Sequence, residues 1–390
     1  MTLPSRPVLA RYFAHAWERC TRAMEMHRKE AALVGLCTLA VCGGGAWLYV
    51  RWARTPLPPV SVPPPVAVEQ VTKRRWLDGL PMPVSAPQPH AIGIMVDNAP
   101  EARPQTGIAD APLVLTVPVE GQRTRFLAVA EATAEDAFGP VRSARPYFVG
   151  LVDMLETPYA HVGGSPAAFA LLKTRSHVDE WYRAPYYRST TRSAPFNAYA
   201  EMEDLVTFFV ERDAFGDARP DDWHLWEYAD AEAAADGSPA TFSIRLGAER
   251  AFDVSWTYDA AQRAYVRSQG GRVHRDVNGI PVTAQNVVVL RVDSVVLDRI
   301  GRLAIPQLDP PVVTPLASRK YATLLTGGTR TDGTWGWSDP QADTGGLFGL
   351  RRASGDGAGA SMVLAPGTTW VEFVNGDWEA AYVQHTAARP

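Results

Sequence analysis

Residues 31–50, AALVGLCTLAVCGGGAWLYV, run for twenty positions without a charged side chain. A helix of that length, at ~1.5 Å per residue, crosses a bilayer. No other stretch constrains this chain so strongly. Arg19, Arg22, Arg28 and Lys29 precede the run, whereas only Arg51 and Arg54 follow closely. By the positive-inside bias, residues 1–30 form a cytoplasmic tail and residues 51–390 are extracytoplasmic. The run is read as an uncleaved transmembrane signal anchor, which makes the chain a single-pass protein of the cell membrane. The alternative is a lipoprotein signal whose apolar core is 31–41 and whose acylated residue is Cys42; Val41 fits it badly, since a small residue normally stands before such a cysteine. Either reading tethers the chain.

The charge balance agrees with that division. Residues 1–54 carry eight Lys and Arg against three Asp and Glu, leaving thirty basic against thirty-nine acidic side chains beyond. An ectodomain this acidic offers no basic face to phosphates, so a nucleic-acid partner is excluded. All three cysteines, Cys20, Cys37 and Cys42, fall in the tail or the apolar run. Disulfides and zinc–thiolate sites are therefore absent from the exported part. With no phosphate-loop signature, no H-E-x-x-H and no clustered histidines, nothing points to a metal or a cofactor.

After the anchor, TPLPPVSVPPPV (55–66) holds six prolines in twelve positions, a polyproline II spacer. The linker extends over 51–89, with order expected from near His90. Strands follow at AIGIMVD (91–97), LVLTVPV (113–119) and RFLAVAE (125–131), the last two joined by the tight connection EGQRT. Pro118 cannot donate to a ladder, which places its strand at a sheet edge or a bulge. Helices are predicted from Pro146, from Ser165-Pro166 and over 201–213, since proline suits the first turn and serine the N-cap. Residues 90–230 thus read as a layered, mixed-sheet α/β domain. A linker at 231–239 leads to 240–385, where TFSIRL, FDVSWTYD, AYVRS, NVVVLRVDSVVL, YATLLTG, TWGWS and TWVEFV alternate as strands of a mainly β domain.

The stretch most suggestive of a site is GPVRSARPYF (139–148). Arg145 precedes a proline and is pushed out of the α region, so Arg142 and Arg145 lie on the loop feeding a helix N-terminus rather than on one helix face. Their partners are either Asp97 and Glu120, at the ends of strands, or a bound anion; buried pairs bracing the loops are the bland reading. His161 stands two residues before Gly163 and Gly164, and with Ser165 the segment VGGSP offers backbone N–H groups to an anion. His161, Asp97 and Glu120 are also the acid/base candidates of an envelope hydrolase, although no nucleophile elbow or metal set accompanies them. Nine of the twelve tryptophans lie beyond residue 55. They either stack on sugars or, more simply, fill the core.

Read in order, MVDNAPEARPQTG, VEGQRTRF, GPVRSARPYF, HVGGSPAAF and YYRSTTRSAPFNAY, then NVVVLRV, GTW and PGTTWVEFV, resemble the motifs of the YerB-like exported lipoproteins of bacteria over roughly residues 85–385. The resemblance implies a two-domain α/β plus β architecture outside the membrane and no assigned activity. It singles out Asp97, Asn98, Arg103, Gln105, Glu120, Arg125, Arg142, Arg145, His161, Ser165 and Asn197 as matching positions, with Gly163 and Gly164 in the same motif. The chain departs from the pattern at Ala111-Pro112, at Thr116 where relatives carry glutamate, at Gln122 where they carry a second glycine, and at Phe196 where they carry histidine.

The expectation is a membrane-tethered binding or scaffold protein of the cell envelope. Its ligand set would be those matched residues, and its partner an anionic cell-wall polymer or an envelope protein.

Overall fold

The computed structural model describes residues 72–134, 137–180, 185–217, 219–221, 223–229, 240–245, 249–310, 320–337, 348–353, 358–376 and 379–384, together with 40–45, 47–49, 51, 52 and 54 near the N-terminus. The chain divides into two compact units, Met1–Glu69 and Gln70–Pro390. In the first, the described residues are helical. Among the described residues no helix is long and apolar enough to cross a membrane. Residues 31–39, 46 and 50 of the apolar run, the proline-rich 55–66 and the 231–239 linker lie outside the described residues.

The second unit is built on one ten-stranded sheet. Its strands are β1 (Ala91–Asp97), β2 (Leu113–Val119), β3 (Arg123–Glu131), β4 (Tyr159–Ala160), β5 (His177–Val178), β9 (Asn286–Val292), β10 (Lys320–Thr326), β11 (Thr329–Trp337), β12 (Phe348–Arg352) and β13 (Thr369–Asn375). They are ordered β12-β11-β10-β9-β13-β2-β3-β1-β4-β5. A second sheet contains β6 (Ala240–Arg245), β7 (Val254–Asp259), β8 (Ala264–Gln269) and β14 (Glu379–Gln384). Among the described residues of this unit the α-helices are α1 (Pro146–Met154), α2 (Pro166–Leu172) and α3 (Met202–Val210).

Side-chain alternation explains the layers. In β3, Leu127 and Val129 join a core with Phe148, Leu151 and Val152 of α1, while Phe126, Ala128 and Ala130 join a second core with Trp256, Tyr258 and Leu205. A strand buried on both faces needs apolar residues at odd and even positions alike, and β1, β2 and β3 have them. The large sheet is thus covered by α1 and α2 on one face, and by the small sheet and α3 on the other.

Several expectations change. The linker assigned to 51–89 ends sooner: Thr72–Arg74 pairs with Pro81–Pro83, and Trp76 and Leu77 between them are fully buried. Proline-rich sequence concealed an apolar anchor of the core. The boundary at 231–239 separates no pair of independent sheets, because β13 runs parallel to β2, with Thr369–Glu372 matched to Leu113–Thr116. For the same reason β2 is not an edge strand. Its pairing with β13 stops at Thr116, two residues before Pro118, so the proline sits where that side of the strand is unpaired. The helix starts match the sequence: Arg145 is extended at φ −134°, ψ 156° ahead of Pro146, and the Ser165 hydroxyl accepts the Ala168 N–H.

Candidate functional site

The matched residues gather at one end of β1, β2 and β3, where the chain leaves the sheet. Because neighbours on a strand face opposite ways, Asp97 and Asn98 head two separate clusters on opposite faces.

On the helix-covered face, Asp97 lies opposite Arg125 of β3. Asp97 Oδ1 accepts the Ala99 N–H at 2.9 Å, and its Oδ2 stands 2.7 Å from Arg142 Nε. Glu120, in the turn between β2 and β3, takes Arg145 Nε at 2.5 Å. Both arginine–carboxylate pairs anticipated from the sequence therefore form. Burial alone would raise the Glu120 carboxyl, but the hydrogen bond and charge of Arg145, its own backbone N–H and Arg125 hold it below the ordinary value. Arg125 is the unmatched member. It is 9 % exposed, its guanidinium donates to Ser143 O at 3.1 Å, and it stands in no ion pair among the described residues. Burial, then the charge of Arg145, push its pKa down. Two tyrosines complete the cluster: Tyr147 of α1 and Tyr159 of β4 are buried with hydroxyls that have no hydrogen-bond partner. Burial raises both phenols, and Arg125 and Arg145 act on each. Phe196, standing where relatives carry histidine, lies 5.6 Å below the Arg142 guanidinium.

His161 is fully buried and both ring nitrogens are engaged, Nδ1 with Gly163 O at 2.8 Å and Nε2 with His177 Nδ1 at 3.0 Å. A carbonyl can only accept, so the His161 proton is on Nδ1 and His177 donates to Nε2. Burial pulls the His161 pKa down to about 4 and lowers that of His177. The VGGSP segment spends its N–H groups internally: Gly163 N–H donates to Asp179 Oδ1 at 2.8 Å and Ser165 N–H to Ala144 O at 3.2 Å. Asp179 thus occupies the place the sequence reading offered to an anion beside Gly163, Gly164 and Ser165. His161 pairs with His177, and the Ser165 hydroxyl is used as a helix cap. Asn197 stands apart from this group, its Oδ1 accepting from Arg188 at 2.7 Å.

On the other face, Asn98 donates to Thr124 Oγ1 at 2.7 Å and accepts from Arg103 Nε at 3.3 Å. Gln105 donates to Asp97 O at 3.0 Å and accepts from His274 Nε2 at 2.8 Å. His274 Nδ1 in turn accepts from Arg267 at 2.9 Å. Arg267 is wholly buried, with Glu372 Oε1 at 3.3 Å and the rings of Trp370, Phe126 and Trp256 at 4.8, 5.3 and 5.7 Å from its guanidinium carbon. Burial lowers the Arg267 pKa, and burial with the charges of Arg267 and Arg103 drives His274 well down. Arg103 falls to about 10, through burial and then Arg267. Glu372 stands opposite Thr116 in the β13–β2 register, so a neighbouring strand supplies a carboxylate beside the position where relatives carry glutamate on β2. Thr116 accepts the Trp370 indole N–H at 2.7 Å.

Sequence reasoning passed over Arg267, Gln269, His274 and Glu372. The available signal was alternation: Tyr265, Arg267 and Gln269 are buried while Val266 and Ser268 between them are less so. Polar residues thus hold the inward positions of an amphipathic strand.

Asp97, Glu120, Arg125, Arg142, Arg145 and His161 line none of four well-formed clefts among the described residues.

This fold and its motifs have counterparts. The family models "Protein of unknown function (DUF3048) N-terminal domain" and its C-terminal companion match residues 77–215 and 242–371. The chain belongs to the YerB-like two-domain family. The "Putative lipoprotein YerB" of Bacillus subtilis (strain 168) is 28% identical over 234 residues, 58% of this chain and 69% of that protein. The crystal structure of the Bacillus subtilis YerB protein superposes with a TM-score of 0.63 at 24% identity, covering 77% of this chain and 96% of that one. The likeness supports the two-part, mostly sheet architecture with few helices. In this chain the two family segments share the ten-stranded sheet.

Proposed function

We propose that this protein is a tethered, extracytoplasmic binding protein of the cell envelope, whose arginine cluster takes an anionic group of a cell-wall polymer or of an envelope partner. Supporting the tether are the apolar run 31–50 and the name of its relative as a lipoprotein. Attachment is either by that run as a single span or by lipid at Cys42. The observation that carries the binding reading is Arg125. Asp97 and Glu120 answer the charges of Arg142 and Arg145, while Arg125 remains as a nearly buried cation beside two unpartnered tyrosine hydroxyls. A guanidinium in that setting is stabilised by a carboxylate or phosphate that also accepts from a phenol. The hydrolase reading lacks comparable support, since Asp97 and Glu120 are ion-paired and both His161 nitrogens are engaged.

The test is co-sedimentation of the full-length protein, in detergent, with isolated cell-wall material. Arg142→Ala/Arg145→Ala and Arg125→Met are expected to weaken binding by about tenfold or more, the scale of a lost charge-assisted hydrogen bond. Binding unchanged in both variants rejects the site.

A further inference from the structure

At the opposite end of β1 from the arginine cluster lies a cleft of about 410 Å³, lined by His90, Glu156, Thr157, Phe215, Arg219 and Trp223 among others. The seven-residue strand, at ~3.3 Å per residue, separates the two ends by roughly 20 Å. We propose that this cleft is a saccharide-binding site, taking one or two sugar rings of a neutral glycan.

Its walls have the two chemistries a sugar needs. A pyranose offers a flat face of C–H groups, which packs on aromatic rings, and a rim of hydroxyls, which hydrogen-bond to charged and amide groups. The aromatic side is built in advance. His90 and Phe215 lie ring over ring at 4.8 Å with a 32° tilt. Trp223 is half-buried, fixed by an edge contact to Trp76 at 5.3 Å and by the Arg219 guanidinium, 4.0 Å from its own ring and 4.2 Å from that of Trp76. Ordered rings lose little freedom on binding.

The polar side is as particular. Thr157 is 9 % exposed, lines the cleft, and its hydroxyl has no partner. Glu156 follows α1 at the position where a left-handed residue ends a helix, with φ +47°, a place glycine fills without strain. A glutamate there carries backbone strain, and its carboxylate, on the rim, meets Arg219 at 3.2 Å. With Asp217, the lining carries two carboxylates against one guanidinium. The balance is unfavourable to the anions suited to the arginine cluster and well suited to hydroxyl donors. The site lies outside the residues that the binding reading above rests on.

The experiment is saturation-transfer NMR on the full-length protein in detergent, titrating maltose, cellobiose and di-N-acetylchitobiose. At least one is expected to show saturable transfer with a Kd near ~1 mM, typical of a single stacked ring pair. Trp223→Ala and the exposed His90→Ala should each weaken it about tenfold. Arg142→Ala/Arg145→Ala should leave it unchanged, which separates this site from the arginine cluster. No saturable transfer with any of the three sugars overturns the proposal, as does undiminished binding in folded His90→Ala and Trp223→Ala.

Discussion

Glu372→Ala probes the buried ion pair with Arg267, which packs against Phe126 of the first family segment. Glu372 is 1 % exposed and Arg267 is fully buried, so removing the carboxylate leaves a guanidinium among Trp370, Phe126 and Trp256 with only Gln269 and His274 as neutral acceptors. Stripping one partner from a buried pair costs about 3–5 kcal/mol. The Trp256 indole N–H, which donates to Glu372 Oε1 at 3.1 Å, loses its acceptor as well, adding about 1 kcal/mol. The total of about 4–6 kcal/mol corresponds to a fall in Tm of roughly 6–9 °C for a unit of this size. Thermal unfolding followed by near-ultraviolet circular dichroism reads it directly. The apolar double variant Arg267→Met/Glu372→Leu should recover most of the loss, because the stranded charge is gone. A Glu372→Ala loss under ~1 kcal/mol, or a double variant no better than the single, refutes the view that a desolvated ion pair closes this core.

Two further outcomes follow from other parts of the fold. His161, neutral when folded with its pKa near 4, is protonated more readily in the unfolded chain at an ordinary value of about 6.5, so stability falls as pH drops from about 6.5 to about 4 and levels off below. Denaturant titrations across that window should show a shallower decline in His161→Gln, by up to about 3 kcal/mol, and an identical slope would remove the imidazole as the cause. Gly150 of α1 faces the backbone of the second segment, where a Cβ would meet Leu308 O at 1.9 Å. Gly150→Ala should therefore cost about 3 kcal/mol or more despite its better helix propensity, measured as a lowered urea midpoint.

Local features were legible because they depend on neighbours within a few residues. Pro146 and Ser165-Pro166 start helices through fixed φ and a capping hydroxyl, and apolar runs declared β1, β2 and β3. Asp97 and Glu120 were also legible as candidate partners of the two arginines, whereas the assignment of Arg142 to Asp97 and Arg145 to Glu120 came from the structure. Gln122 shows the same locality: it adopts φ +56° after Gly121 at +70°, which explains the second glycine of its relatives.

Tertiary structure decided what lies far apart in sequence. That Thr116 meets Trp370 across 254 residues depends on which strand fills the slot beside β2, and each apolar strand of the second segment suited that slot by composition. Nothing local in the sequence links Arg267 to Glu372, 105 residues away, and only the strand register brings them together. The Gly163 N–H, free for an anion as far as its neighbours in sequence go, is taken by Asp179 from beyond the next strand. The saccharide cleft joins His90, Glu156, Phe215 and Trp223, residues that share no motif and meet only because the chain ends of β1, α1 and α3 close on one corner. A sequence specifies the period and chemistry of each segment, whereas the choice of neighbour is made by the packing of both sheet faces at once.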